Sequence, residues 1–417
     1  MKKRDIGAAL VAGALMLSAI AVPVFAVSPG TTRVVDDDGL AAVTDDGYAD
    51  CTGGLAPADD PTHVFSTIQA AVTAAAPGDD IFICPGFYKE TVTVATTVQI
   101  YGVNLMGQSD ASCAPRSGAD QSIVTGNGDY AFKLMADGVV LDGLKVANTP
   151  QGGVWTDPTH SGYQIQNNLI ANNGGAGLNL AANGTLSTQV NFNCFDDNNN
   201  SGAGSGIVVN GGLSNARIHA DGFMDHRAAG ISVDGSTNAV SGLTVSNNRS
   251  IDDVSFLQLK SASNALIFYN FVRNSDDIST PGVAIQVFGT SSTISLRYNN
   301  VYANFTDGIA VADTASGVQL SRNHVQGTDN GINVSTTTVG GVTATRNLVK
   351  NVTNNGILVG AAASGDTFTG NRIHGINNLA CRDDSSGVGT LGTANTWTNN
   401  KSSAGSFSVP TGLCPHH

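Results

Sequence analysis

One polar residue behind a short apolar pair recurs along most of this chain. It stands in Tyr-Gln-Ile-Gln-Asn-Asn168-Leu-Ile and in Val-Gln-Leu-Ser-Arg-Asn323-His-Val. The position returns every 22 to 29 residues, and every 24 residues from Asn299 to Asn371. A second phrase, Gly-Ile-x-Val, keeps the same period. Two phrases with one period indicate a coil that returns to the same place in every repeat. The isoleucines of the second phrase are Ile207, Ile231, Ile309, Ile332 and Ile357.

Each repeat contains three short apolar stretches. Gly-Ile-x-Val alternates inward and outward as a half-buried strand, the apolar pair before the polar residue forms a second, and the apolar residue after it a third. Charged residues are only 13% of the chain and glycine is 50 of 417, a composition rich in turn formers. Leucine-rich and hexapeptide solenoids have other periods, and propeller blades need ~40 residues. We predict an all-β fold, a single-stranded right-handed parallel β-helix of about ten coils with three short strands per coil.

The recurrent polar residue is nearly always asparagine. Asparagine suits a bend because it tolerates the left-handed conformation and its side-chain amide can bond neighbouring backbone. Stacked from coil to coil, these amides would form an interior ladder. The alternative, asparagines in solvent-facing loops, does not explain their place between apolar residues. The predicted ladder is Asn168, Asn193, Asn248, Asn270, Asn299, Asn323, Asn347 and Asn371, with Asp221 in the same position.

Both ends of a β-helix expose edge strands and apolar core, so both need caps. A predicted helix that starts near Thr67 and ends before Pro77 forms the N-terminal cap, with Ile68, Ala71, Val72 and Ala75 on its apolar face. A solenoid buries its core coil by coil, so one domain accommodates this length. The expected boundaries are 27–115 for the N-terminal cap and first coils, 116–376 for the β-helix repeats, and 377–417 for the C-terminal cap and tail.

The first residues have the form of a secretory signal peptide. Three basic residues precede an apolar run, and small residues before Ala26 allow cleavage there. Removal of residues 1–26 moves the formal charge from −13 to −15. We therefore expect a secreted, extracellular or cell-surface protein without a membrane span, and a monomer. An acidic surface repels phosphate backbones, which argues against nucleic acid as a partner.

Six cysteines in an exported chain predict disulfide bonds, because an oxidising compartment lets them persist. No pair has the Cys-x-x-Cys spacing of a metal or redox site. Six cysteines allow fifteen connectivities. Cys113 and Cys194 are assigned to each other only by elimination. The expected cap disulfides are Cys51–Cys84 at the N-terminal end and Cys381–Cys414 at the C-terminal end.

A family resemblance rests on the stretch from Phe65 to Val92 and on the asparagine repeats that follow. The stretch reads Phe-Ser-Thr-Ile-Gln-Ala-Ala-Val-Thr-Ala-Ala-Ala-Pro-Gly-Asp-Asp-Ile-Phe-Ile-Cys-Pro-Gly-Phe-Tyr-Lys-Glu-Thr-Val. It resembles secreted right-handed parallel β-helix proteins of the pectin-lyase-like superfamily. The resemblance implies the fold, whereas this superfamily includes lyases, hydrolases, esterases, epimerases and members without known activity. Motifs of polygalacturonases, mannuronan epimerases and pectin esterases are missing, so no enzyme subfamily is identified.

The resemblance implies that chemistry would take place on the outer face of the Gly-Ile-x-Val sheet. Lys260-Ser-Ala-Ser-Asn264 is similar to the phrase around the proposed base lysine of alginate and chondroitin lyases. A uronate lyase needs its substrate carboxylate neutralised, often by Ca²⁺, and a base that removes a proton. Lys260 or Arg227 is the candidate base, and His226 would assist. The candidate Ca²⁺ ligands are Asp252, Asp253, Asp276 and Asp277.

Two functional hypotheses follow. The first is a non-catalytic extracellular protein that binds a polysaccharide or cell-surface glycan, or serves as a structural or adhesive rod. The second is an enzyme, either a Ca²⁺-dependent uronate lyase or a glycoside hydrolase with Asp234 and Asp253 or Asp277 as its acid pair. The bland alternative for the same charges is that the aspartates form turns while Lys260 and Arg227 balance them. The incomplete motifs favour the first hypothesis.

Overall fold

The computed structural model describes residues 30–36, 63–102, 113, 121–199, 202, 204–275, 282–403 and 407–416. The predicted signal peptide, Cys51, Asp276 and Asp277 lie outside these residues. Three parallel sheets form the faces of a β-helix, and the chain passes from sheet A to sheet B to sheet C in each regular coil. The prediction of a parallel β-helix with three strands per coil is confirmed.

Sheet A contains seventeen strands in the described part of the chain. In one coil it receives two short strands, Val240–Ser241 and Thr244–Ser246, which both pair with the longer strand Ala262–Phe268 of the next coil. Its strands are Thr32–Val35, Val64–Phe65, Asp80–Ile83, Gln99–Gly102, Val140–Asp142, Gln164–Gln166, Thr188–Asn191, Leu213–Ser214, Ala216–His219, Val240–Ser241, Thr244–Ser246, Ala262–Phe268, Ser292–Arg297, Val318–Ser321, Val342–Thr345, Thr367–Thr369 and Thr396–Thr398.

Sheets B and C contain thirteen strands each among the described residues. The strands of sheet B are Gly86–Lys89, Ser122–Thr125, Lys145–Ala147, Leu169–Ala171, Cys194–Asp196, Gly222–Met224, Arg249–Ile251, Phe271–Arg273, Asn300–Tyr302, His324–Gln326, Leu348–Lys350, Arg372–His374 and Lys401–Ser402. The strands of sheet C are Val92–Val94, Phe132–Leu134, Val154–Thr156, Leu178–Asn179, Ser205–Val209, Ala229–Asp234, Leu257–Lys260, Val283–Phe288, Asp307–Asp313, Asn330–Thr336, Asn355–Val359, Leu379–Asp383 and Phe407–Val409. The coils therefore extend at both ends beyond the repeat phrases.

The strands form because alternate residues enter one continuous core. In sheet C the register places Ile309 beside Ile332 and Ile332 beside Ile357, and all three are fully buried. Equivalent apolar residues thus lie above one another in successive coils. Each new coil buries its apolar face against the previous one, which is the main stabilising contribution in a solenoid.

The asparagine ladder runs along the bend between sheets A and B. Each ladder amide donates to the Oδ1 of the next ladder residue at 2.8–3.0 Å, from Asn168 onward. The ladder reaches one coil further than the repeat phrase, to Asn400. The left-handed conformation belongs to the preceding residue, for example Asn167 (φ 56°) or Tyr298 (φ 56°), rather than to the ladder residue. The bend therefore needs two residues, one for the turn and one for the ladder.

Both ends of the coil stack carry caps. The N-terminal helix spans Ile68–Ala74; Thr67 is its N-cap, accepting from the backbone N–H of Ala70. The carboxylate of Glu90 accepts the backbone N–H groups of the helix start at 2.8 and 2.9 Å, which stabilises them. At the other end, Trp397 stacks on Phe368 with ring centroids 4.2 Å apart. A short 3₁₀ turn, Thr390–Gly392, completes the C-terminal cap.

Two disulfides are present in the described part of the chain, Cys113–Cys194 and Cys381–Cys414. Cys84 is also disulfide-bonded. Because Cys51 lies outside the described residues, the Cys51–Cys84 pairing stays a prediction. None of the helices in the described segments combines the length and the apolar character that crossing a bilayer requires.

Candidate functional site

The predicted base Lys260 ends a strand of sheet C and lies on its outer surface. Its Nζ contacts Asp234 Oδ2 at 2.9 Å, and the register sets these residues side by side in neighbouring coils. Both side chains are nearly half exposed, at 40% and 45%. Hydrogen bonds from Ser236 and Lys260 lower the pKa of Asp234 to about 2. The Lys260 amine is therefore engaged by a carboxylate, which argues against its use as a general base on a substrate.

His226 and Asp253 point into the coil and not toward the outer surface. Both side chains are fully buried, with His226 Nδ1 2.7 Å from Asp253 Oδ1. The backbone N–H of His226 donates to the same oxygen, and the Ser250 hydroxyl donates to Asp253 Oδ2. Asn198 Nδ2 lies 3.4 Å from His226 Nε2. Neither side chain is accessible to a polysaccharide.

These two residues belong to a second, shorter ladder, at the bend between sheets B and C. Asn173 donates to Asn198 at 2.9 Å, and Asn198, His226 and Asp253 follow in successive coils. As in the first ladder, the residue before each member has a positive φ, for example Asp225 (60°). The sequence pattern does not reveal this ladder, because its members differ in chemical type. His226 and Asp253 thus make their hydrogen bonds within the buried bend.

The outer side of this bend is acidic. Asp225 is exposed at the surface, and partial desolvation of its carboxyl group, followed by the neighbouring charges of Asp196 and Asp252, raises its pKa to about 6. Asp252 Oδ1 accepts the backbone N–H of Ser275 at 2.5 Å. Arg227 lies exposed nearby. Among the residues that the structure describes, no group of three or more histidine, cysteine, aspartate or glutamate side chains could hold a metal ion. The predicted Ca²⁺ ligands Asp276 and Asp277 lie outside that part.

A different surface brings aromatic and basic side chains together, at the edge of sheet B. The register of sheet A places Tyr269, Tyr298, Arg322 and Arg346 at the same bend position in four successive coils. The rings of Tyr269 and Tyr298 stack with centroids 5.1 Å apart, and Tyr269 is 53% exposed. We call these four residues the bend row. Their outward direction follows from the ladder, because the next residue in each coil points inward.

The outer face of sheet B continues this surface. Phe271 and Tyr302 lie in neighbouring coils with ring centroids 5.4 Å apart, and Tyr302 contacts His324 at a similar distance of 5.4 Å. Beyond them the surface forms a groove of about 660 Å³. We call it the basic groove. The residues of this groove that carry the argument are Arg322, Arg346, Leu348, Lys350, Arg372 and His374.

The sequence contained a signal for this groove that the repeat analysis did not use. Arg322 and Arg346 directly precede ladder asparagines, and Arg372 directly follows one. Lys350 and His374 each stand three residues after a ladder asparagine. Basic residues at fixed offsets from a repeat position in consecutive coils predict a basic stripe. The residues that were predicted as bases and Ca²⁺ ligands lie elsewhere. Those that the structure describes are near the bend between sheets B and C and on sheet C.

One family model agrees with the fold over part of the chain. The model of the family "Right handed beta helix region" matches residues 204–339. Among solved structures, the pectate lyase Pel9A is 12% identical, with a TM-score of 0.41, covering 91% of this chain and 83% of its own. A GH136 lacto-N-biosidase from Eubacterium ramulus is 11% identical, with a TM-score of 0.48, covering 93% and 68%. No curated protein matches the chain in sequence. The resemblance to right-handed parallel β-helix proteins is confirmed for the fold, with no subfamily specified.

Proposed function

We propose that this protein is a secreted β-helix that binds polysaccharide on the outer face of sheet B without cleaving it. The observation that carries the proposal is the stacked pair Tyr269–Tyr298 beside Phe271 and Tyr302, in which Tyr269 is 53% exposed and Tyr298 is half-buried behind it. Aromatic side chains provide large contact area at small conformational cost, and the apolar C–H faces of sugar rings pack on them. An exposed tyrosine supported by further aromatic rings on a rigid scaffold is therefore suited to a sugar chain.

The scaffold supports this use because it holds Tyr269 and Tyr298 in place before a ligand binds. We call these two residues the tyrosine platform. Tyr269 and Tyr298 directly follow two neighbouring strands of sheet A. The last residues of these strands, Phe268 and Arg297, are paired in register. The ladder residues Asn270 and Asn299 are fully buried and fix the adjacent backbone. Little conformational entropy is then lost when a ligand binds. Successive coils rise by ~4.8 Å, so aromatic side chains in neighbouring coils can contact neighbouring parts of one polymer.

The signal-peptide prediction and the disulfides agree with an extracellular place of action. Catalysis is the alternative proposal, and its candidate base is Lys260 on sheet C. The ion pair with Asp234 argues against that role.

The binding proposal is tested with Tyr269→Asn and Tyr298→Asn. Asparagine occurs naturally at this bend position, at Asn167 and Asn247, and accepts its positive φ. Affinity electrophoresis through gels containing single polysaccharides measures retention. We expect the double variant to lose retention by the glycans that bind the native protein. The matched control is Phe192→Asn, which removes an aromatic ring from the same bend position in an earlier coil. Equal retention of all three proteins would contradict the proposal, as would the absence of retention by any glycan.

A further inference from the structure

The outer face of sheet A carries a regular array of threonines in three successive coils near its C-terminal end. Each of the three strands has two outward positions, separated by one inward residue. The register aligns Thr343 with Thr367 and Thr367 with Thr396, and the threonines two residues further on form a second column. We call this array the threonine face. Its residues are Thr343, Thr345, Thr367, Thr369, Thr396 and Thr398.

The threonine face is a local feature and does not follow from its position on the sheet. In earlier coils the same two columns hold Gln164 and Gln166, and then Arg217 and His219. Threonine is favoured in strands because it is β-branched. That general preference does not explain why every outward position of three neighbouring strands is threonine while the earlier strands are mixed. The uniform array therefore calls for a function that repeats with the coil.

The hydroxyl groups of the threonine face are uncommitted and rigidly held. Within the described residues, none of the six has a hydrogen-bond partner in the protein, whereas the Thr125 and Thr156 hydroxyls donate to backbone carbonyls. The inward residues between the columns, Ala344, Phe368 and Trp397, are buried, and the two rings stack with centroids 4.2 Å apart. Threonine is also stiff at χ1. The face thus presents fixed hydroxyl and methyl groups without any charge among them.

The array has two repeat distances, and both follow from the geometry of parallel strands. Successive outward residues of one strand, such as Thr343 and Thr345, lie ~6.6 Å apart, and the strands of neighbouring coils lie ~4.8 Å apart. On the prism face of hexagonal ice, water oxygens repeat in a rectangular pattern whose two spacings are close to these values. Hydroxyl groups in register at both spacings can take the places of water molecules in the first layer of that lattice.

We propose that the threonine face binds the surface of ice. An ice lattice is itself water, so each hydroxyl keeps a hydrogen-bond partner on binding and no desolvation penalty has to be overcome. An uncharged face also leaves the orientation of the lattice water undisturbed. A second copy of the chain is disfavoured as the occupant, because the array spans only ~10 Å across its strands, far less than the ~800 Å² that each partner buries in a stable dimer requires. The inference is independent of the tyrosine platform, which lies in earlier coils.

The test measures how much protein is taken up by slowly growing ice, relative to an inert protein of similar size in the same solution. Thr367→Lys places a charge at the middle of the first column. Thr367→Tyr is a second variant without charge, which keeps a high strand propensity but protrudes from the plane. Thr244→Lys is the matched control, because Thr244 lies in the same column of sheet A, in an earlier coil outside the array. Circular dichroism and thermal melting show which variants fold.

We expect the native protein and Thr244→Lys to be enriched in the ice about tenfold over the inert protein, and both Thr367 variants to fall to the inert level. Retention of the Thr367 variants by glycans should be unchanged, so the outcome does not bear on the tyrosine platform. Exclusion of the native protein from ice would overturn the inference, as would equal enrichment of the native protein and the Thr367 variants. A native dimer that Thr367→Lys dissociates, measured by sedimentation, would identify the face as an interface between copies and overturn it too.

Discussion

Asp221 occupies the place of an asparagine in the ladder and accepts, through its Oδ1, both the backbone N–H and the side-chain amide of Asn193, at 2.7 and 2.9 Å. Its other oxygen, Oδ2, is buried without a hydrogen-bond partner. The next ladder residue, Asn248, has an amide nitrogen in place of this oxygen, and that nitrogen donates to the carbonyl of Ile218. Burial raises the pKa of Asp221 well above its ordinary range. Burial thus favours the protonated form of this carboxyl group, which occupies a position that asparagine fills elsewhere in the ladder.

Asp221→Asn should stabilise the protein near neutral pH by about 1 to 2 kcal/mol, because it restores the missing amide donor. Since the folded-state pKa is raised, the native protein binds a proton that the unfolded chain releases. Its stability therefore falls as pH rises above the ordinary carboxyl range, and the variant should lack this loss. Urea unfolding near pH 4 and near pH 7 measures both effects. The exposed Asp329→Asn is the control, and a destabilised Asp221→Asn protein would refute the role assigned to Asp221.

Asp366 gives a second pH prediction with a defined window. Its Oδ1 accepts the backbone N–H of Val342 at 2.8 Å, while its buried Oδ2 has no partner. Burial, aided by the charge of Asp383, raises the pKa of Asp366 to about 6. Because Asp366 loses its proton more readily in the unfolded chain, the free energy of unfolding of the native protein should decline between pH 3.8 and about 6. Asp366→Asn should remove this part of the pH dependence. Thermal melting across the range tests it, and an identical slope in both proteins would count against the prediction.

His226→Ala should destabilise the protein by about 3 kcal/mol, because it leaves the Asp253 carboxylate buried without its imidazole partner. The paired variant His226→Asn with Asp253→Asn replaces the couple by two amides and should recover much of that loss. Denaturant unfolding compares the three proteins. If His226→Ala kept full stability but lost an activity on glycans, the residue would be catalytic and the ladder interpretation would fail.

Lys260→Ala should change the free energy of unfolding by less than ~1 kcal/mol, because an exposed ion pair contributes little. It should also leave glycan binding unchanged. Incubation with pectate, alginate and chondroitin, with and without Ca²⁺, should yield no unsaturated product, which ultraviolet absorbance would detect. Product formed by the native protein and abolished by Lys260→Ala would establish the lyase alternative. Release of reducing ends tests a hydrolase separately.

Replacing both Cys381 and Cys414 by serine should destabilise the protein by about 2 to 4 kcal/mol, because the bond closes a loop across the C-terminal cap. Cys381 also continues the buried apolar column of sheet C beside Ile357. Limited proteolysis should then cut the C-terminal cap first. Reduced native protein with the same resistance as the oxidised form would show that the disulfide does not secure the cap.

The sequence was sufficient to predict the β-helix because each coil repeats the same pattern of strands and bends. Gly-Ile-x-Val and the ladder asparagine recur with one period, and burial of identical positions above one another converts that period directly into a fold. The ladder positions could be read for the same reason. The second ladder could not be predicted from the sequence, because asparagine, histidine and aspartate residues occupy its equivalent positions.

What the sequence alone determined is therefore the coil, its three strands and its buried asparagines, since these depend on the alternation of apolar and polar residues within one repeat. The tertiary structure decided which charges meet. Arg322, Arg346 and Arg372 are 24 and 26 residues apart along the chain. They line one groove only because the strands that carry them pair in parallel and in register. The same pairing turned His226 and Asp253 inward, away from the surface where chemistry was expected.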